Sequence, residues 1–204
     1  MAVRAEEERV ARYGKEHKEA TRQRIVETAG RRFKKDGLDG SGIATLMADA
    51  GLTNGAFYAH FRSKDDLVTT VVADQLKTQA DAFEALAPGR AGLEEFVRYY
   101  LSQQHRDHPD AGCPSAALLE EIGRSQRSTK KAYAAGARAI LDQIASRLSP
   151  ANPTAAQPRA LALFTMAAGT LQVARAVADK QFSDEILEQG LANVLAMVAT
   201  DQDG

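Results

Sequence analysis

The sequence lacks several features that would place it in common protein classes. It has one cysteine, Cys113, so no disulfide can form within the chain, which suits a reducing compartment. No run of about 18 apolar residues is present to span a membrane, and the first residues contain no apolar stretch resembling a secretion signal. We therefore expect a soluble protein of the cytoplasm.

Alternating runs of β-branched and aromatic residues, which are typical of strands, are also missing. Hydrophobic residues still make up 44% of the 204 positions, so the chain is long and apolar enough to bury a core. Apolar residues recur at spacings of three and four, as on one face of a helix. The sequence predicts an all-α protein of about nine helices.

One helix is expected from about Glu19 to Lys35, with Ile25, Val26, Ala29 and Phe33 on one face. Another is expected to begin after a cap at Ser63 and to continue to about Leu86. A loop is predicted at 105–114 and a short helix at 115–123.

The sequence motifs of common enzymes are absent. There is no G-x-G-x-x-G after a strand, no P-loop, no H-E-x-x-H and no G-x-S-x-G. Ser115 follows His105 and Asp107, but a catalytic triad is recognised by geometry, which spacing does not supply. We expect a protein that is not an enzyme and that needs no cofactor.

The formal net charge of −1 gives no sign of a nucleic-acid binder, but the charge is unevenly distributed. Residues 1–35 contain 11 Lys and Arg against 6 Asp and Glu. A modest positive end agrees with a DNA-contacting segment near the N-terminus. Within it, residues 1–17 are interpreted as a charged, solvated arm, with a basic extension that reaches DNA as the alternative.

The stretch SGIATLMADAGLTNGAFYAHFRSK, residues 41–64, predicts two short helices joined by a tight turn. Gly51 stands where a left-handed residue would end the first helix, and Ser41 and Thr53 stand where hydroxyl groups would cap the two helices. Phe57 and Phe61, four residues apart, predict the buried side of the second helix. The result is a helix-turn-helix, whose second helix fits the major groove of DNA.

The run GLTNGAFYAHFRSKDDL, with RIVETAGRRFKKDGLDG upstream, resembles the N-terminal domain of TetR-type transcriptional regulators. The resemblance implies a DNA-binding domain at 18–66, a ligand-binding and dimerisation domain at 67–204, and an antiparallel helical bundle. The last two helices, about 156–177 and 183–199, are apolar on two sides, which indicates a second partner; in the family such a pair forms a four-helix dimer interface.

The outer face of the second helix contains the candidate DNA contacts. Asn54 can bond a base edge, Ala56 can touch a thymine methyl group, and Gly55 permits close approach. The resemblance implies phosphate contacts at Tyr58, His60 and Lys64, each of which could instead have a structural role. The candidate DNA-binding residues are Ser41, Thr53, Asn54, Gly55, Ala56, Tyr58, His60 and Lys64.

The resemblance also implies an effector pocket in the C-terminal domain. The candidate lining residues, any of which could be ordinary core residues, are Phe83, Phe96, Tyr99, Tyr100, Cys113, Leu118, Leu119, Tyr133 and Phe164. Polar residues are sparse in this set, which favours an apolar or weakly polar effector.

Cys113 permits two interpretations. It precedes Pro114 and a short helix, so its thiol could sense oxidants or electrophiles, or it could be a buried, inert side chain. The surrounding polar residues, namely His105, Asp107, His108 and Asp110, match no familiar zinc spacing, so we predict no metal site.

The sequence therefore predicts a ligand-responsive repressor that binds a palindromic operator in double-stranded DNA as a homodimer and is released by a small molecule. Two alternatives remain. One is a regulator that senses oxidants or electrophiles through Cys113. The other is a helical ligand-binding module that has lost specific DNA binding, which the intact 53–64 block argues against.

Overall fold

The computed structural model describes residues 2–199, and side chains from Tyr13 onwards. It is all-α, and no strand occurs in the described range. The α-helices are α1 (Ala2–Asp36), α2 (Ile43–Asp49), α3 (Lys64–Ala82), α4 (Gly89–Tyr100), α5 (Gln103–Asp107), α6 (Pro114–Ala117), α7 (Leu119–Arg124), α8 (Arg127–Leu148), α9 (Pro153–Ala176) and α10 (Lys180–Ala199). Three 3-10 helices span Asn54–Ala59, Phe83–Ala85 and Pro109–Ala111.

The all-α prediction is confirmed, but the chain contains more short helices than the nine expected. The predicted loop around 105–114 contains α5 and a 3-10 turn, and the helix predicted at 115–123 is two helices that meet at Leu118. The helix predicted to reach Leu86 ends at Ala82 and continues as a 3-10 turn. Periodicity over so few residues does not resolve single turns.

Helix α1 is longer than predicted. It was expected to begin near Glu19, yet it runs from Ala2, so the described part of the predicted arm continues the helix of the DNA-binding domain. Its buried face is the predicted one, with Ile25, Val26, Ala29 and Phe33 in the core. Met1 and residues 200–204, which were assigned to the arm and the C-terminal domain, lie outside the described residues.

The turn between α2 and the following 3-10 helix forms as predicted. Gly51 adopts a left-handed conformation with φ of 67°. Its N–H donates to the Ala48 carbonyl at 2.9 Å, and the Leu52 N–H donates to the Met47 carbonyl at 2.8 Å. These two bonds form a Schellman motif, which satisfies carbonyl groups at the end of α2.

The C-terminal helices pack in a bundle in which α8 lies between α3 and α9, while α10 packs on α9 and α4. The approach of α8 to α3 requires a glycine, because a Cβ atom at Gly136 would lie 2.4 Å from the Leu76 Cβ. Leu76, Ile140, Ile144 and Leu163 are fully buried at these contacts. The bundle thus holds α3, which directly follows the helix-turn-helix.

None of the helices between residues 2 and 199 is both long and apolar enough to cross a membrane.

Candidate DNA-binding face and effector cavity

The second helix of the helix-turn-helix forms as a 3-10 helix, Asn54–Ala59. The Ala56 N–H donates to the Thr53 carbonyl at 3.0 Å and the His60 N–H to the Phe57 carbonyl at 2.9 Å, which is the 3-10 pattern. Phe57 is fully buried, and its ring lies 5.7 Å from that of Phe61. These two aromatic side chains hold the opposite face towards solvent.

That outer face presents most of the candidate DNA contacts. Tyr58 is 68% exposed, and its ring meets the edge of Phe57 at 5.3 Å, which positions it. Thr53 stands at the N-cap as predicted, but its side chain accepts no capping hydrogen bond. Thr53, Asn54 and Gly55 are also exposed, and Ala56, His60 and Lys64 are partly exposed.

Ser41 does not belong to this face. Its side chain is fully buried, and its hydroxyl oxygen has no hydrogen-bond partner among the described residues. The predicted cap by Ser41 is wrong as well, because α2 begins at Ile43 with Gly42 at the N-cap. The helix therefore starts one position later than predicted.

His60 is held in its neutral form at neutral pH. Burial lowers its pKa below the usual 6.5, and the neighbouring positive charges of Lys18 and Arg22 lower it further. Arg22 itself lies over the Phe61 ring at 4.5 Å and donates to the Thr70 hydroxyl at 3.4 Å. His60 would therefore contact a phosphate as a neutral hydrogen-bond donor.

Lys64 occupies the first turn of α3, whose capping matches the prediction. The Asp66 N–H donates to the Ser63 hydroxyl oxygen at 3.2 Å, and the Asp66 carboxylate accepts from the Arg62 N–H at 3.0 Å. These bonds fix the start of the helix. They place the partly exposed Lys64 beside the positive end of the helix dipole, a favourable position for a phosphate.

A cavity of about 690 Å³ lies between α1, α3, α4 and the segment 105–114. This volume falls in the range of small-molecule sites in proteins. Its lining residues are Gln23, Glu27, Arg31, Lys34, Asp74, Gln75, Thr78, Gln79, Ala82, Leu86, Glu95, Phe96, Tyr99, Tyr100, His105, Asp110, Ala111, Gly112, Cys113 and Pro114.

Four of the nine candidate effector residues line this cavity, namely Phe96, Tyr99, Tyr100 and Cys113. The other five, Phe83, Leu118, Leu119, Tyr133 and Phe164, do not. Phe83 is fully buried behind Phe96, with ring centroids 4.4 Å apart. The Tyr133 hydroxyl donates to the Ser115 hydroxyl at 3.2 Å, and Leu119 is 37% exposed.

The surface of the cavity is mainly apolar, as expected, but polar residues take a larger part in it than the predicted set implies. Eleven of the twenty lining residues are polar or charged, and four of these come from α1, which was assigned to the DNA-binding domain: Gln23, Glu27, Arg31 and Lys34. Their spacing of four, four and three places them on one face of α1. In the sequence this stripe looks the same as a solvated helix face.

His105 organises the deep end of the cavity. Its Nε2 accepts from the Cys113 N–H at 3.1 Å, so Nδ1 carries the proton and donates to the Tyr100 carbonyl at 2.7 Å. Burial lowers its pKa to about 4, so the ring is neutral at physiological pH. The Tyr99 ring stacks on it with centroids 5.6 Å apart. His105 thereby ties the end of α4 to the segment before α6.

Among the hydrogen bonds between the DNA-binding domain and the C-terminal domain, two link α1 and the turn after it to the segment 112–121. The Lys34 ammonium donates to the Gly112 carbonyl at 2.8 Å, and burial is the main reason why the Lys34 pKa falls to about 8. The Leu38 N–H donates to the Glu121 carboxylate at 2.7 Å. The bond between Lys34 and Gly112 lies in the wall of the cavity, so the same two residues line the cavity and connect the two domains.

The polar residues around Cys113 do not form a metal centre within the described part of the chain, where no group of three His, Cys, Asp or Glu side chains converges. Both ring nitrogens of His105 are used in hydrogen bonds. The Cys113 sulfur, which is buried, accepts from the Ser115 N–H at 3.3 Å.

Residues 25–71 match the family described as bacterial regulatory proteins, tetR family. The match covers the last third of α1, the complete helix-turn-helix and the start of α3, where the exposed face and its buried support have just been described. The segment 25–71 is a helix-turn-helix domain of TetR type.

Curated transcriptional regulators resemble part of the chain. The chain is 36% identical over 62 residues to the HTH-type transcriptional regulator AcrR of Shigella flexneri, and 38% identical over 63 residues to the regulator TtgR of Pseudomonas putida. These alignments cover 30% and 31% of this chain. The chain spans only 29% and 30% of the relatives' own lengths.

Solved structures show that the TetR fold extends over most of the chain. The reduced form of Escherichia coli NemR aligns with a TM-score of 0.76 and 21% identity, over 90% of this chain and 99% of that one. FadR of Bacillus subtilis, in complex with stearoyl-CoA, aligns with a TM-score of 0.65 and 15% identity, over 87% and 97%. At these identities the likeness concerns the fold alone.

Proposed function

We propose that the protein is a ligand-responsive transcriptional repressor that binds a palindromic operator as a dimer and is released by a small molecule. The observation that carries the proposal is the position of α1. One end of this helix supports the helix-turn-helix, and its polar stripe forms a wall of the cavity. Because its target is DNA, the protein would act in the cytoplasm, and the proposal includes no enzymatic activity.

A homodimer through α9 and α10 fits the surface of these helices. Leu161, Met166, Val173 and Phe182 are 40–53% exposed, and a Cβ atom at Gly169 would meet nothing within 4 Å. Large apolar side chains clustered on two adjacent helices are typical of an interface. A two-fold dimer would place two helix-turn-helix units about 34–36 Å apart, one turn of DNA.

Release from DNA would follow because α1 both lines the cavity and supports the DNA-binding face. An occupant between α1 and α3 contacts the helix that supports the DNA-binding face, and it lies beside the bond between Lys34 and Gly112. An occupant could favour a position of α1 in which the two helix-turn-helix units of the dimer no longer fit successive major grooves of DNA. The affinity for the operator would then fall. By linkage, the operator must weaken effector binding by the same factor.

Selection of bound sequences from a random DNA pool tests the proposal. The expected product is a palindrome with half-sites about one helical turn apart. Replacing Lys64 with Gln should weaken operator binding and reduce the salt dependence by about one phosphate contact, and Tyr58→Phe should weaken binding by removing its hydroxyl donor. Lys130→Gln, an exposed position on α8, serves as the control.

Weak binding without sequence preference would contradict operator recognition and favour the alternative of a ligand-binding module. Equal effects of the Lys64 and Lys130 substitutions would contradict the assigned DNA face.

A thiol sensor is the second candidate, and the position of Cys113 favours it. The sulfur lies in the cavity wall and accepts the Ser115 N–H at the start of α6. Peroxide would convert such a thiol to a sulfenic acid, adding an oxygen to a buried side chain that lies near the Tyr100 hydroxyl. Release of wild-type protein from DNA by peroxide or a quinone, and its loss in Cys113→Ser, would support this function. Identical release of both proteins would exclude it.

A further inference from the structure

The walls of the cavity carry an excess of negative charge. Its four carboxylates come from α1, α3, α4 and the 3-10 turn before α6: Glu27, Asp74, Glu95 and Asp110. In the part of the chain that the structure describes, none of the four forms an ion pair, although Gln23 donates hydrogen bonds to Glu27 and Asp74. Two cations line the cavity with them, Arg31 and Lys34. A third, Arg175, lies behind the deep end, where it donates to the His105 carbonyl, and His105 itself is neutral.

The two cations are poorly placed to bind an anion. The Lys34 ammonium is already bonded to the Gly112 carbonyl, and burial lowers its pKa to about 8. Arg31 is exposed and can turn to solvent, and the same holds for Glu27 and Glu95, which leaves Asp74 and Asp110 as the partly buried carboxylates. An anion in the cavity would be repelled by the carboxylates, whereas a cation would gain from them.

Buried polar atoms in the same wall also lack partners. The Tyr100 side chain is only 2% exposed, and its hydroxyl lies near the Cys113 side chain without making a hydrogen bond of standard geometry in the described residues. The side-chain carbonyl oxygens of Gln75 and Gln79 are likewise buried and unpaired. An unpaired buried polar group is costly, so these atoms point to a ligand that supplies the missing bonds.

The position of Gln75 is fixed by α1. A Cβ atom at Gly30 would lie 1.9 Å from the Gln75 Nε2, so the amide occupies space that only glycine leaves. With its nitrogen against α1, the oxygen of this side chain remains available to accept an N–H group.

The remaining wall is aromatic. Phe96 and Tyr100 lie 5.5 Å apart, and Tyr99 is half exposed where it stacks on His105. Aromatic faces attract cations within about 6 Å of the ring centroid. The carboxylates do not converge as metal ligands among the described residues, so the charge is spread as an extended organic ligand requires.

We propose that the cavity binds an organic cation with an aromatic body and at least one N–H donor. Its ammonium group would lie near Glu27 and Asp74, with an N–H bonded to Gln75, and its ring against Phe96 and Tyr99. The proposal rests on the proposed function, because it names the chemical class of the effector.

A matched series of fluorescent probes tests the assignment: dansylcadaverine, a cation; N-pentyl dansylamide, its neutral counterpart; and 5-(dansylamino)pentanoate, an anion. Fluorescence titration should show the cation binding about tenfold more tightly than the neutral probe, and the anion more weakly still. The preference for the cation should decrease as salt rises.

Substitutions locate the site. Glu27→Gln and Asp74→Asn should each lower the affinity for the cationic probe about three- to tenfold and leave the affinity for the neutral probe unchanged. Glu84→Gln, an exposed acidic position outside the cavity, should change neither. Tyr100→Phe should weaken probe binding without lowering thermal stability, because the hydroxyl makes no hydrogen bond of standard geometry to the described residues.

Equal or tighter binding of the neutral or anionic probe would overturn the proposal, as would the failure of all three probes at millimolar concentration. DNA binding is measured separately. Cation binding without operator recognition would refute the proposed function and leave this inference standing. Operator release by the neutral probe alone would refute the inference and leave the function standing.

Discussion

Acidification should destabilise the protein through His105. Burial lowers the pKa of His105 from 6.5 to about 4. Between these two pH values the imidazole is protonated in the unfolded chain and neutral in the folded chain. The stabilising contribution is therefore complete above pH 6.5 and is lost as pH falls towards 4. Protonation of the His105 Nε2 would also break the hydrogen bond that this atom accepts from the Cys113 N–H.

The magnitude follows from the shift of the pKa. A difference of about 2.5 units corresponds to about 3 kcal/mol when the linkage is complete. Between about pH 7.5 and about pH 5, roughly 2 kcal/mol of this should be lost. Urea denaturation at fixed protein concentration measures the free energy of unfolding at each pH.

His105→Asn isolates the effect, because asparagine keeps a donor for the Tyr100 carbonyl but does not titrate. The variant should be less stable at neutral pH and should lose about 2 kcal/mol less than the wild type on acidification. His108→Asn, at an exposed position, should retain the wild-type pH dependence. Parallel pH profiles for the wild type and His105→Asn would refute the assignment of a buried, neutral imidazole.

Three further substitutions test the packing of the bundle, the contact between domains and the dimer face. Gly136→Ala should destabilise the fold by about 1–3 kcal/mol in urea denaturation, since the new methyl group would meet Leu76 at 2.4 Å. Glu121→Ala should cost about 1–3 kcal/mol in the same assay, because it leaves the Leu38 N–H without its acceptor. Leu161→Glu should weaken dimerisation at least about tenfold in sedimentation equilibrium, and operator binding with it.

Each of these substitutions has a matched control. Gly123→Ala adds a methyl group where nothing lies within 4 Å, and Glu120→Ala removes an exposed carboxylate beside Glu121. Leu119→Glu introduces the same charge on α7, away from the proposed interface. Effects in the controls equal to those in the variants would contradict the structural reasons given.

Local patterns in the sequence were sufficient for the helix-turn-helix. Gly51, Phe57 and Ser63 act through neighbours within a few residues, by a left-handed turn, a buried ring and a cap. Such contacts are encoded in short segments, and they formed where predicted. The burial of Ser41 was missed because Gly42 is the N-cap of α2, so Ser41 lies before the helix, where packing against other segments decides its exposure.

The cavity was harder to predict because its walls come from distant segments. Phe96 and Tyr100 were identified as aromatic residues on a helix, but so was Phe83, which packs behind them. Nothing local separates a lining residue from a core residue. Glu27 and Lys34 were assigned to the DNA-binding domain, and only the packing of α1 against α3 brings them to the cavity.

The double use of α1 affects how such a protein can be re-engineered. A chimera that exchanges residues 18–66 for those of another family member transfers more than a DNA specificity. It also transfers one wall of the cavity, consisting of Gln23, Glu27, Arg31 and Lys34. Such hybrids would recognise a new operator with altered ligand selectivity, so a modular exchange needs its junction within α1, with the polar stripe retained from the parent.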